Sequence, residues 1–188
     1  MDALDALLNR VSAPRLVAPA PDAAQRELLF RAALRAPDHG QLRPWRFLTI
    51  EGAALTQLGE LFASALPADA SPEAVAKAHA MPLRAPLLVV VVARLQAHFK
   101  VPQQEQLLAA GCAAHGILLA AHAQGIGAVW RTGELAYNPQ VAAGLGLGAG
   151  EQIVGFLYLG TPERELRAVP QLELADFVSA WAAPQSPV

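Results

Sequence analysis

The chain has 188 residues, of which 54% are hydrophobic and only 16% charged, and it carries a net charge of −2 with an isoelectric point near 6.2. One domain over residues 1–188 accommodates that length, and the near-neutral charge argues against nucleic acid or a membrane surface as the main partner. A lone cysteine, Cys112, excludes an intrachain disulfide, and the acidic start Met1–Asp5 lacks the apolar core of a signal peptide, so a cytoplasmic location is expected.

Leu4, Leu7 and Leu8 repeat at helical spacing and predict a short helix over residues 2–9. Asp22 and Gln25 form a capping-box pattern that opens a helix to about Arg35, with Leu28, Leu29, Ala32 and Ala33 inward and Arg35 at the stripe's edge. Pro37 ends it. Residues 46–50 read as a strand, Leu55, Leu58 and Phe62 as the face of a helix, and Ser71-Pro72-Glu73 as a helix start. The run LLVVVVA over 87–93 predicts a strand covered on both faces.

Residues 103–124 predict a long helix stopped by Gly125. Its apolar run, 107–123, falls short of the ~20 residues of a membrane span and reads as a buried core helix. Apolar or small residues surround most of it, so the expected second wall is a partner subunit in a homodimer. Residues 128–130 follow as a short strand, Asn138-Pro139 starts a helix ending near Gly144, and 153–159 is a buried strand. Beyond Thr161-Pro162 no long regular element is expected until residues 176–181. Helices and strands alternate, which predicts an α/β or α+β fold with a mixed sheet.

Several residues carry chemistry. Arg10 and Ser12, at the end of the first helix, are donors suited to one anion, or a solvated helix end with a dipole-compensating Arg. Trp130-Arg131-Thr132-Gly133 sets an Arg and a hydroxyl after a strand, where α/β proteins gather ligands, or forms a surface turn. The glycines at 144, 146, 148 and 150 lie between helix and strand, the reverse of a phosphate loop, and read as a connection. Cys112, His115 and His122 share one arc of the long helix but lack the further ligands of a zinc site, so no metal is expected and Cys112 reads as a packed small residue.

Taken together, Arg10-x-Ser12, Ala36-Pro37 with Pro44-Trp45 beyond it, and Gly155-Phe156-x-Tyr158-x-Gly160 resemble the motifs of the nitroreductase family. The short length, Ala36-Pro37-Asp38-His39 and Trp130–Gly133 resemble a small single-domain branch of it. The resemblance implies an α+β, three-layer fold, an FMN-containing homodimer with flavin sites at the subunit interface, and a C-terminal extension wrapping the partner. It assigns Arg10, Val11, Ser12, Arg35, His39, Arg131, Thr132 and Gly133 to FMN, with Arg10 and Ser12 on the phosphate. It assigns Ala121, His122, Ala123, Gln124, Gly125 and Ile126 to NADH or NADPH. Val11, Gln41 and Arg43 depart from the residues usual in the family at those positions.

The implied activity is ping-pong hydride transfer from NAD(P)H through FMN to a nitroaromatic, quinone or related acceptor. The flavin carries the chemistry, so no catalytic side chain is assigned. Arg35 is the candidate cation for the reduced flavin. Dehalogenation, dehydrogenation or enone reduction on the same fold, a flavin-binding module with little turnover, and a hydrolase using Cys112 are the alternatives.

Overall fold

The computed structural model describes residues 1–182. Asp2 caps helix α1 (Ala3–Asn9) by accepting the Asp5 N–H. After the two-residue strand β1 (Leu16–Val17), the expected capping box opens α2 (Ala23–Ala33): Asp22 accepts the Gln25 N–H at 2.8 Å and Gln25 accepts the Asp22 N–H at 2.9 Å. Then follow β2 (Trp45–Glu51), α3 (Ala53–Ser64), α4 (Pro72–Ala80) and β3 (Leu87–Arg94). The rest comprises α5 (Gln103–Ala123), β4 (Gly127–Arg131), α6 (Glu134–Tyr137), α7 (Pro139–Gly144) and β5 (Glu151–Pro162).

The sheet runs β2–β3–β5, with β4 and β1 also paired to β5. Leu159 faces Leu87 of β3 and Ala128 of β4, so those two strands flank β5 on opposite sides. Every ladder is antiparallel, which corrects the expected mixed sheet. The β3–α5–β4 segment resembles a parallel crossover in sequence, and its two strands do run parallel, but β5 inserts between them.

Three layers result. On one face, Leu88, Val90, Val92, Phe156 and Tyr158 pack against Leu55, Leu58 and Phe62 of α3 and Val141 of α7. On the other, Leu87, Val89, Val91, Leu157 and Leu159 pack against Leu29 and Ala33 of α2 and Ala110, Ala114 and Ile117 of α5. Both faces of β3 are thus buried, as its unbroken apolar run predicts. Helices α2 and α5 approach so closely that a Cβ on Gly116 would lie 3.1 Å from the Ala32 carbonyl oxygen.

Some expectations need correction. Helix α2 ends at Ala33, where Leu34, Arg35 and Ala36 turn off with short-range hydrogen bonds, and Leu28 is 54% exposed. Residues 176–181 form no helix beyond a single turn at Leu174–Asp176. Helix α5 has 21 residues and by length and composition is apolar enough to cross a membrane, although its buried residues, Ala110, Ala114 and Ile117 among them, pack against the sheet and α2. It is not enclosed within the protomer: Leu108 is 62% exposed, and Cys112 and His115 are exposed rather than packed.

Candidate functional site

Chain segments far apart in sequence meet beside β4. Residues 10–14 leave α1 and dock on it, the Ala13 N–H donating to the Ala128 carbonyl at 2.9 Å. From the end of β4, Arg131 reaches back, its Nη2 donating to the Pro14 carbonyl at 3.3 Å. Its guanidinium carbon lies 5.7 Å from the centre of the Tyr158 ring, within cation–π range. The loop that carries Ser12 and the end of β4 that carries Arg131 are therefore brought together by the fold. The Arg131 Nε is buried and has no hydrogen-bond partner among the described residues.

The cleft here comprises adjoining cavities of about 480 and 390 Å³ that share Arg84 and Arg131. The second is floored by Phe62, Phe156 and Tyr158 and bordered by Trp130, Thr132 and Gly133. Burial pushes the Tyr158 phenol above its ordinary pKa, while Arg131 and Arg84 pull against that rise. A further cavity of about 210 Å³ joins Ser12 to Arg15, Arg164, Glu165 and Arg167, because the chain beyond β5 returns past the Ser12 loop. Sequence reasoning misses Arg15, Arg84, Arg164 and Arg167. No local motif marks them, and only the fold gathers them beside Ser12 and Arg131.

Arg35 and His39 lie elsewhere. Arg35 lines a cavity of about 350 Å³ with Trp45 at the start of β2. His39 pairs with Glu105 in the first turn of α5 at 2.6 Å. Because an ionised carboxylate only accepts, the imidazole Nδ1 carries that proton. Trp45 belongs to the α2/α5 face of the sheet, whereas Tyr158 and Phe156 beneath Arg131 belong to the α3 face. Strands β4 and β2 are separated by three strand spacings, about 14 Å at ~4.8 Å each. One protomer therefore does not unite the two halves of the predicted FMN set.

Residues Ala121–Ile126 form the C-terminal end of α5 and its turn into β4. Gly125 has φ +73°, the left-handed stop that glycine permits. The amides of Gln124, Gly125 and Ile126 already donate to the carbonyls of Ala121, His122 and Ala121. Ala121 is buried, and His122 Nε2 is buried without a partner among the described residues. Gly127 and Arg131 lie four strand steps apart, about 13 Å at ~3.3 Å each, so this segment sits at the far end of β4 from Arg131.

Residues 9–161 match the family model described as "Nitroreductase family". The chain is 43% identical over 177 residues to YdjA of Escherichia coli (strain K12), provisionally named an NAD(P)H nitroreductase, covering 94% of this chain and 96% of that protein. Its fold is similar to the crystal structure of a nitroreductase-like family protein from Bacillus cereus, with a TM-score of 0.84, 21% identity and 96% of each chain covered. A nitroreductase-type structure from Desulfovibrio desulfuricans, determined in complex with FMN, matches with a TM-score of 0.76, 22% identity, and 96% and 97% of the two chains covered.

Proposed function

The chain belongs to the nitroreductase family, and from that premise and the site geometry we propose that it is an FMN-dependent oxidoreductase. It draws electrons from NADH or NADPH and passes them, by a ping-pong cycle, to a nitroaromatic, quinone or related acceptor. A cytoplasmic location suits a consumer of reduced nicotinamide.

The donor set beside β4 fits a phosphate-bearing flavin. Ser12, with Arg10 two residues before it, lies on a loop held to β4 and lines a cavity with Arg15, Arg164 and Arg167, three cations against Glu165 beside them and Glu163, which pairs with Arg15 and Arg164. Charged donors of this kind give the stronger class of hydrogen bond to an anion. Arg131 meets the cofactor with its orientation already set by the Pro14 carbonyl and the Tyr158 ring, so little ordering is needed on binding. Phe62, Phe156 and Tyr158 provide the aromatic floor of the cavity. When bound, FMN supplies acceptance of hydride from the nicotinamide and its delivery to the acceptor.

The observation that carries the homodimer is the separation of the two residue groups across the sheet. In our reading a second copy brings its Arg35 and His39 to the Arg10–Ser12 and Arg131–Gly133 of the first. Exposed leucines support such an interface: Leu4, Leu7 and Leu8 on α1 and Leu108 on α5. So does the tail, where Phe177, Val178 and Trp181 are all exposed, as expected of a segment that wraps a partner. With FMN bound, Arg35 would supply a cation beside it, worth roughly a few kcal/mol to negative charge in a water-poor site.

For the nicotinamide nucleotide, Ala121–Ile126 remains the proposed contact. The helix end there carries the negative end of the dipole and its amides are already bonded, which disfavours a backbone cradle for pyrophosphate. Contact falls instead to the outward side of the segment, where Ala123 and Gly125 are exposed and Ile126 is half-buried, since the His122 Nε2 is itself buried.

The test is the absorption spectrum of the purified protein, with heat-released flavin identified by chromatography and bleaching by NAD(P)H followed without oxygen. About one FMN per chain, reduced by NAD(P)H, is expected. A colourless protein that takes up no added FMN overturns the reading.

A further inference from the structure

The loop between α2 and β2 holds the only non-glycine residues with positive φ among the described residues, Gln41 at 52° and Arg43 at 50°. Left-handed backbone strains an L-residue and persists only where its surroundings hold it, commonly at ligand clamps. Asp38 does the holding here. Its Oδ2 accepts the Arg43 N–H at 2.7 Å, its carbonyl accepts the Gln41 N–H at 3.2 Å, and the Arg43 carbonyl accepts the Trp45 N–H at 2.8 Å.

Both strained residues line the 350 Å³ cavity that also contains Arg35, with Leu34, Ala36 and Trp45 forming its apolar part. Neither Arg35 nor Arg43 has an ion-pair partner among the described residues. The one carboxylate on the cavity wall, Asp38, already accepts the Arg43 amide. With Arg35 assigned to the flavin, Arg43 is the cation left beside an apolar wall, and it matches a carboxylate on a small aromatic ring. The volume lies at the small end of the range for such ligands.

We propose that this cavity is an anion subsite for the electron acceptor, that it favours small aromatic acceptors bearing a carboxylate, and that Arg43 determines this specificity. The proposal rests on the reading above, in which the loop from Arg35 to His39 borders the flavin site of a second copy. For a nitroaromatic acid, one turnover takes the nitro group to nitroso, oxidises one NAD(P)H, consumes one proton and releases one water.

The test compares 4-nitrobenzoate with its neutral analogue 4-nitrobenzamide, first by calorimetric binding to the oxidised holoenzyme without donor, then by turnover with NADPH and with NADH. The variant is Arg43→Asn, because asparagine is neutral and tolerates left-handed backbone. Arg94→Gln is the control, since Arg94 borders only the neighbouring cavity, which Arg43 also touches. We expect the wild type to bind the acid about tenfold more tightly than the amide, and Arg43→Asn to bring that ratio close to one with flavin content and amide affinity unchanged. Arg94→Gln should keep the ratio. Equal affinity for acid and amide in the wild type, or an unchanged ratio in Arg43→Asn, overturns the proposal. So does a change confined to the NADPH-over-NADH preference, which would mark the donor's 2′-phosphate as the anion. A wild type that holds no flavin overturns the flavin reading and this proposal with it, whereas a flavin-bearing wild type with equal affinities overturns this proposal alone.

Discussion

Gly155→Ala should unfold the sheet locally and disturb the site together. Gly155 pairs with Val91, and the register then slips so that Val92 faces Ile153, leaving Val154 as a bulge. Trp130 fills the space above Gly155, with its Nε1 donating to the Val154 carbonyl at 3.3 Å. A Cβ on Gly155 would overlap that Nε1, lie 2.6 Å from Trp130 Cδ1 and sit 3.1 Å from the Arg131 carbonyl oxygen. The indole must therefore move, and β4 with it. Overpacking of this kind costs about 1–3 kcal/mol, and losing the indole hydrogen bond adds roughly 1 kcal/mol. Alanine's smaller backbone entropy loss in a strand returns about 0.5–1 kcal/mol, leaving a net loss near 2 kcal/mol. Urea unfolding should show a midpoint lower by about 1 M at an unchanged slope near 2 kcal/mol/M. Flavin retention should fall too, because β4 ends in Arg131. Gly148→Ala is the control: its Cβ would meet nothing nearer than 4.0 Å, and stability should stay within about 0.5 kcal/mol of wild type. A wild-type midpoint for Gly155→Ala would refute this account of the bulge.

Other outcomes follow from the same structure. Glu151 pairs with Arg46 through two bonds of 2.6 and 2.7 Å and accepts the Gly148 N–H, and Arg46 foremost holds its carboxyl at about 2. A folded pKa below the unfolded one stabilises above pH ~4.5 and loses that stability as pH falls toward 2, here about 3 kcal/mol for a side chain only 15% exposed. Acid unfolding of Glu151→Gln should lack that component of the slope. Asp22→Ala removes the capping box of α2 and should lower stability by about 1 kcal/mol in urea titration, with flavin content unchanged. Arg131→Ala should weaken FMN binding, read by flavin fluorescence on titration, while the circular dichroism spectrum stays native; undiminished FMN affinity would remove Arg131 from the site.

Local signals made much of the fold legible. The caps at Asp2, Asp22, Ser71 and Asn138 each start a helix where the sequence places one, since a side chain there bonds a free amide within three residues. The unbroken LLVVVVA run is indeed the strand buried on both faces. Features made by distant pairing were not legible. Strand β1 exists only because Leu16 and Val17 meet Pro162 and Thr161, and the antiparallel sheet depends on where β5 inserts. The exposure of Leu28, Leu108 and Cys112 likewise depends on which helix face a neighbour covers, which periodicity alone does not tell. At the site, the meeting of the Ser12 loop with the end of β4 at Arg131 was accessible through motif resemblance. Arg84, Arg164 and Arg167 were not, because their surroundings come from segments tens of residues away.

The central claim is a flavin site assembled from two copies of the chain, and subunit complementation tests it most directly. Arg10→Ala and Arg35→Ala chains, each expected to retain FMN poorly alone, are co-expressed with different tags and the mixed dimers isolated. If Arg10 of one copy and Arg35 of the other serve the same flavin, one site in each mixed dimer is wholly wild type, and about half the full flavin content should return. Mixed dimers no better in flavin retention than either parent would contradict a shared site.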